Sequence, residues 1–141
     1  MNKDFSYYLT TFFSSYLVEH SGFSINTIKS YRDTFVILIN YFKNELKIKA
    51  DKISLENFSK NFIEVFLLFL EKERKNSIST RNQRLAAIHS FFKYIGDDNF
   101  KYFDLFNEIL KVKFKKVPMK TIKYLTEDNV REYLKNIIQK F

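Results

Sequence analysis

The sequence predicts an all-α domain of four to five helices. Only two glycines and one proline occur in 141 residues, and a chain so poor in turn residues cannot make the many tight reversals that a β-sandwich or barrel requires. Apolar residues also recur at three- and four-residue spacing through several long stretches, which is the pattern of a buried helical stripe. Both observations favour a helical bundle around one core.

The first two helices are predicted from their apolar stripes and their end signals. Residues 4–20 form the first helix, and Gly22 is a natural stop after it. The second begins at Ser24, whose hydroxyl can accept from free backbone N–H groups, and ends near Leu46. The stripe of the first helix consists of Phe5, Tyr8, Leu9, Phe12, Tyr16 and Leu17.

The third and fourth helices follow a polar turn in which Ser54 is a plausible cap. The third runs from about Lys60 to Arg74 and is apolar nearly all round, which predicts a central position. The fourth starts at Ser77 or Ser79 and stops at Gly96. A shorter fifth helix is predicted over residues 100–112, with a buried side formed by Phe103, Phe106, Ile109 and Leu110.

The character of the chain changes after the fifth helix. Residues 111–123 contain six lysines, no acid and the only proline, which is typical of an exposed connector. Val130, Leu134 and Ile137 then return to helical spacing. We therefore expect a helical domain over residues 1–112, a basic linker over 113–125 and the first helix of a truncated second domain over 126–141. An intact small protein with a packed tail is the alternative.

Charge indicates a polyanion as partner. Lysine and arginine (24) exceed aspartate and glutamate (16), which gives a net charge of +8 and a pI near 9.5. Such a surplus in a small domain favours nucleic acid, because each neutralised phosphate releases counterions. The alternative is a helical protein-interaction domain, in which the lysines only aid solubility and Phe5, Phe12 or Phe103 contacts a partner.

Several function classes find no support in the sequence. The chain has no cysteine, no glycine-rich phosphate loop, and two histidines, His20 and His89, on separate helices without an evident carboxylate partner. Tyr8, Tyr16, Tyr31 and Tyr41 fall on or near apolar stripes and are expected in the core or at its boundary. We expect no catalysis, metal or cofactor in this chain. The sequence shows neither a signal peptide nor an apolar run of roughly 20 residues, so a soluble cytoplasmic protein without membrane contact is expected.

Two helix starts repeat the same pattern. Ser24-Ile-Asn-Thr27 opens the second helix and Ser77-Ile-Ser-Thr80 opens the fourth, and a basic residue follows each, Lys29 and Arg81. The free N–H groups and the dipole of a helix start favour anions. We interpret the pattern as two antiparallel hairpins that each bring one polar, basic helix start to the surface.

The same two phrases resemble a known family. Ser24-Ile-Asn-Thr-Ile-Lys-Ser-Tyr-Arg-Asp33 is similar to the S-x-N-T-x-x-x-Y-R-x-D helix of the core-binding domain of tyrosine recombinases, the phage integrase family. Ser79-Thr-Arg-Asn-Gln-Arg-Leu-Ala-Ala-Ile-His-Ser-Phe-Phe-Lys-Tyr-Ile95 resembles its T-x-N-R-R-L-x-A-x-R-S-F-F-x-Y-L helix. Tyr124-Leu-Thr-Glu-Asp-Asn-Val130 resembles the L-T-x-E-E-V segment that opens the family's catalytic domain.

The resemblance implies a fold and a role. It implies a SAM-like core-binding bundle in two crossed helical hairpins that grips double-stranded DNA as half of a C-shaped clamp. The family's catalytic arginine, lysine, histidine and tyrosine have no counterparts here, so this chain is expected not to be an enzyme, although its parent is expected to be a tyrosine recombinase of a mobile element. Other protomers of the parent, as a tetramer on paired sites, are the implied protein partners. We expect no arm-type domain before the first helix, as in a simple resolvase-type or transposon recombinase.

Residues for DNA contact come partly from this resemblance and partly from the polar faces of the two helices. His89 stands where the family has a basic residue. The linker is implied to follow the DNA backbone. The full set of predicted contacts is Thr27, Lys29, Arg32, Thr80, Arg81, Gln83, Arg84, His89, Lys93, Lys113, Lys115, Lys116 and Lys120.

Overall fold

The computed structural model describes residues 3–20, 22–117, 131 and 134–135. All regular structure in this part of the chain is helical, which confirms the predicted all-α class. The predicted linker beyond residue 117, with Lys120, and nearly all of the predicted helix over 126–141 lie outside the described residues. No helix within those described is long and apolar enough to cross a bilayer.

Helix α1 spans Phe5–Thr11 and continues through a π-helical turn, Phe12–Tyr16, into a last turn, Leu17–Glu19. Asp4 caps it, because one carboxylate oxygen accepts from the N–H of Phe5 and also from that of Leu55, each at 2.8 Å. The helix start is thereby fixed to a segment 51 residues away. Gly22, the predicted stop, has a φ of 116°, which a side chain would oppose.

The two longest helices begin at the predicted serine caps. Helix α2 spans Ile25–Glu45 and helix α4 spans Ile78–Asp98. The hydroxyl of Ser24 accepts from the N–H of Thr27, and that of Ser77 accepts from the N–H of Thr80, both at 3.1 Å. Both predicted starts are confirmed, and Ser77 rather than Ser79 is the cap of α4.

Helix α3 spans Lys60–Lys72 and helix α5 spans Phe103–Leu110, and short 3₁₀ turns precede each of them. The predicted central position of α3 is wrong, because Val65 and Leu68 on its outer face are each 47% exposed. The helix that packs against α1, α2, α3 and α5 is α4. Phe91 of α4 is fully buried and meets rings from α1 and α2, including Phe12 at 5.4 Å and Phe35 at 4.9 Å.

Two details of the last hairpin also differ from prediction. Helix α4 does not stop at Gly96 but continues to Asp98. Gly96 is buried, and its missing side chain leaves the room that the side chain of Phe106 occupies. On α5, Ile109 is buried as expected, but Phe103 and Leu110 are 43% and 49% exposed. The expected four-residue buried side is thus narrower, because α5 contacts the bundle along one edge only.

The tyrosines lie where the sequence predicted. Tyr8 and Tyr41 are buried in the core, and Tyr16 and Tyr31 are half-buried at its boundary. Of the three phenylalanines weighed for a partner surface, Phe5 and Phe12 are buried. Only Phe103 keeps enough exposure to serve one.

Candidate nucleic-acid interface

The amino-terminal halves of α2 and α4 are in contact. Arg84 of α4 donates from Nη1 to the hydroxyl of Thr34 on α2 at 3.2 Å and to the carbonyl of Ser30 at 3.3 Å. These bonds hold the amino-terminal halves of the two helices together. The first turns of α2 and the second and third turns of α4 therefore share one region of the surface.

A shallow polar cleft runs between these helix halves. We call it the two-helix cleft, and it is lined by Asn26, Thr27, Ser30, Tyr31, Gln83 and Ala86. Five of its six lining residues carry an amide or hydroxyl group, and such groups can donate to phosphate oxygens or pair with base edges. Gln83 and Asn26 are fully on the exposed side of their helices. An amide side chain matches the adjacent donor and acceptor of adenine in the major groove.

Cations flank the cleft rather than line it. Lys29 and Arg32 are exposed on α2 but point away from α4, since residues of a helix advance by about 100° each and the lining residues occupy the other side. Thr80 is half-buried at the start of α4, where its hydroxyl bonds that of Ser77 at 3.1 Å. Lys93 is exposed further along α4 and pairs with Asp97 at 3.0 Å.

Sequence reasoning missed two cations close to the start of α4. Arg74 and Lys75 are exposed in the loop that leads into the Ser77 cap. Lys75 has a φ of 53° and ends α3 in the left-handed conformation that usually takes glycine. The adjacent N–H of Asn76 donates to the carbonyl of Leu70 at 3.0 Å, which closes the helix end. The signal that could have found them is a basic pair separated by one residue from a serine cap.

Arg81 conflicts with its predicted role as a DNA contact. It is only 6% exposed, and its Nη1 donates to the carbonyl of Lys113 at 2.8 Å while Nε lies 3.6 Å from Glu71 Oε1. Burial lowers the pKa of Arg81, and the Glu71 carboxylate partly offsets this. The guanidinium therefore has protein partners, and we leave Arg81 out of the DNA-facing surface.

Arg84 and His89 are also engaged inside the domain. Arg84 is half-buried in its contacts to α2, and burial lowers its pKa. His89 is half-buried and its Nε2 lies 3.2 Å from the carbonyl of Ile109, to which it donates as the neutral ring. Burial lowers the pKa of His89 despite this bond, which acts in the opposite direction. Both side chains thus connect helices, and any DNA contact by them stays a prediction.

The first residues of the predicted linker lie against the helical domain. Lys113, Lys115 and Lys116 are exposed, but Lys115 Nζ pairs with Glu71 Oε2 at 2.9 Å. Within the described residues, Lys113 and Lys116 have no ion-pair partner. The structure thus brings Thr27 and Gln83 together in the cleft, and leaves the linker lysines on another part of the surface near α3.

The fold and the surface together define a class of protein. It is a strongly basic, all-helical domain with two serine-capped helices that meet at the two-helix cleft. Residues 9–101 match the family of phage integrase N-terminal SAM-like domains. The chain belongs to this family. No solved structure matches the chain.

Curated relatives agree with this assignment. Over 122 residues, 86% of this chain, it is 32% identical to a Sinorhizobium fredii protein named integrase/recombinase y4rD and 31% identical to another named integrase/recombinase y4rC. It is also 36% identical over 83 residues to the tyrosine recombinase XerC of Herpetosiphon aurantiacus, which covers 59% of this chain and 25% of that protein. The chain spans 43% and 37% of the lengths of the two Sinorhizobium proteins.

Proposed function

We propose that residues 1–112 are the DNA-gripping core-binding domain of a tyrosine recombinase and hold the recombination site as half of a clamp. The observation that carries this is the two-helix cleft, in which Thr27 and Gln83 come together from separate helices. Two helix starts supply N–H groups and positive dipole ends for phosphates. The cleft supplies neutral amides and hydroxyls for base edges.

The placement of charge suggests which residues contact phosphates and which contact bases. Lys29 and Arg32 on α2, and Arg74 and Lys75 before the start of α4, are exposed and supply phosphate contacts. Gln83, with Asn26, reads bases. Residues 113–125 are the basic linker that follows the backbone, and residues 126–141 open the catalytic domain. The parent protein carries out DNA recombination and integration, and this chain contributes binding without a catalytic residue.

Salt dependence of DNA binding tests this proposal. The chain is titrated against a labelled duplex of arbitrary sequence between about 50 and about 200 mM salt, where log affinity falls by about 0.9 per log salt for each phosphate contacted. Lys29→Ala is expected to reduce this slope by about one contact. Lys43→Ala, an exposed lysine near the other end of α2, is the matched control and should leave it unchanged. Absence of binding to any duplex at low salt would overturn the proposal.

Gln83→Ala tests the base-reading part. Selection of binding sites from a random duplex pool should yield a preferred sequence for the parent chain. The variant should lose about 1 to 3 kcal/mol of discrimination at one base position while the salt slope stays unchanged. A loss of affinity that is equal for all sequences would instead show that Gln83 contacts the phosphate backbone.

One further observation favours a protein partner at a different surface. Phe100 is 87% exposed and stacks on Phe103, with ring centroids 6.1 Å apart and planes within 9°. Exposed paired rings of this kind are typical of contact surfaces. We assign them to contact between protomers of the parent, assembled as a tetramer on paired sites. Phe100→Ser should abolish the assembly of full-length protein on paired sites in gel-shift experiments while binding to a single site persists.

A further inference from the structure

Asn82 of α4 bonds the first part of the linker in both directions. Its Oδ1 accepts from the N–H of Lys115 at 3.0 Å, and its Nδ2 donates to the carbonyl of the same residue at 2.7 Å. Residues 113–117 form no helix or strand of their own, so their backbone groups need partners from elsewhere or from water. One amide side chain thus replaces the pairing that a neighbouring strand would give.

Arg81 and Glu71 complete the attachment. Arg81 Nη1 donates to the carbonyl of Lys113 at 2.8 Å and to Asn82 Oδ1 at 3.0 Å, which orients the amide. Glu71 of α3 lies 3.6 Å from Arg81 Nε through one oxygen and accepts from Lys115 Nζ at 2.9 Å through the other. We call Glu71, Arg81 and Asn82 the linker anchor. Its three side chains come from two helices and hold two linker residues.

Burial shows that the anchor is built into the domain. Arg81 is 6% exposed, and the Glu71 side chain is 20% exposed. A buried guanidinium costs free energy unless it is paired and hydrogen-bonded. Here its partners are a carboxylate and a linker carbonyl, so leaving the anchor would strand a buried charge. The linker path is therefore coupled to the packing of α3 on α4.

We propose that Arg81 and Asn82 are positioning residues that fix the path by which the linker leaves the helical domain. The anchor presents Lys113 and Lys116 to the DNA backbone and keeps Lys115 on Glu71, away from it. The attachment itself is independent of what the chain binds, whereas the presentation of the lysines rests on the proposed DNA-binding function. The two parts are therefore measured separately.

Hydrogen exchange tests the attachment without DNA. In the whole chain, Asn82→Ala should accelerate amide exchange over residues 113–117 by roughly tenfold or more, because the bond that protects the Lys115 amide is gone. Exchange around Phe91 in the core should stay unchanged. Asn61→Ala, at an exposed asparagine of α3, is the matched control. Unchanged exchange over residues 113–117 in the Asn82 variant would overturn the attachment.

DNA binding tests the presentation. Asn82→Ala should weaken binding by roughly two- to tenfold, because a freed linker must be ordered again on DNA. Glu71→Gln keeps the shape and an acceptor for Arg81 but releases Lys115, so the salt slope should increase by up to about one contact. A steeper salt slope in Glu71→Gln would indicate a new phosphate contact. If Glu71 only stabilised the fold, its loss would not add such a contact.

The outcomes separate the two proposals. Faster exchange with unchanged DNA affinity and slope in both variants would leave the attachment standing and overturn the presentation of the lysines. Absence of DNA binding by the unsubstituted chain would overturn the proposed function. The exchange result would still decide whether the linker is attached. Should Asn82→Ala fail to fold, Asn82→Leu supplies both measurements, since it keeps the size of the side chain but removes both bonds to Lys115.

Discussion

Arg84 Nη1 donates to the hydroxyl of Thr34 at 3.2 Å, and this bond joins the helices whose starts flank the two-helix cleft. Thr34 is fully buried, and its hydroxyl in turn donates to the carbonyl of Ser30 at 3.0 Å. A side chain predicted to contact DNA is thus part of the support that sets the geometry of the cleft. Its substitution should act first on stability.

Arg84→Met is expected to lower the free energy of unfolding by about 1 to 3 kcal/mol, because it leaves the Thr34 hydroxyl without this donor. The DNA salt slope of the folded variant should equal that of the parent chain. Chemical denaturation and anisotropy titrations measure the two quantities. Lys29→Met, an exposed change on the neighbouring helix, should alter stability by less than about 0.5 kcal/mol. A slope reduced by a full contact in the Arg84 variant would show that its guanidinium reaches a phosphate.

Lys75→Gly should stabilise the domain and weaken its grip on DNA. A lysine at φ 53° is strained, and glycine removes a cost of about 1 kcal/mol, partly offset by its greater freedom in the unfolded chain. Loss of the charge beside the α4 start should reduce the salt slope by about one contact. Lys47, with φ 57°, ends α2 in the same way but lies away from the cleft. Lys47→Gly should therefore raise stability with unchanged DNA binding, and thermal denaturation with anisotropy would reveal any departure.

The fold could be predicted where local signals decide it. Ser24 and Ser77 mark their helix starts because the capping hydrogen bond is made within three residues. The ends of α2 and α3 are less visible in sequence, because Lys47 and Lys75 take the place that glycine usually holds. Gly96 was predicted to end α4, but the helix continues through it. Its role is to make room for Phe106 of α5, ten residues further along the chain, and local signals do not show this.

The candidate site could be predicted in part. Thr27 and Gln83 emerged from the residue pattern, because both lie on the polar side of their helices. The orientation of Arg81 could not be predicted, since it lies at the edge of the apolar stripe and its partners are Glu71 on another helix and Lys113, 32 residues away. Whether such an arginine turns inward is decided by tertiary contacts, and spacing alone does not encode them.

Gly96→Ala should destabilise the domain although it improves helix propensity. A Cβ at this position would lie 3.0 Å from Cβ of Phe106. That atom is attached directly to the backbone of α5, so a change of side-chain rotamer cannot relieve the contact. Overpacking costs about 1 to 3 kcal/mol, and the propensity gain of up to about 1 kcal/mol only partly offsets it. Ala86→Gly, half-buried on the same helix, measures that propensity term alone. Equal or greater stability of Gly96→Ala in denaturant titrations would mean that α5 shifts without cost.

The pH dependence of stability should carry a contribution from His89. Burial holds the pKa of the folded side chain below the ordinary value of 6.5, and repulsion from Arg81 acts in the same direction. Between those two pKa values the unfolded chain binds more protons, so this stability is complete above about pH 6.5 and is lost as pH falls through the folded pKa. Protonation also leaves a charged ring among the contacts of α4, Ile109 and Phe114.

His89→Gln isolates this contribution. Glutamine keeps a donor for the Ile109 carbonyl but does not titrate, so the difference in unfolding free energy between parent and variant should change as pH is lowered from about 8 to about 5. Carboxylates titrate in both proteins and cancel in that difference. A parent and a His89 variant with parallel profiles would mean that the ring is charged at no cost, and that its burial does not select the neutral form.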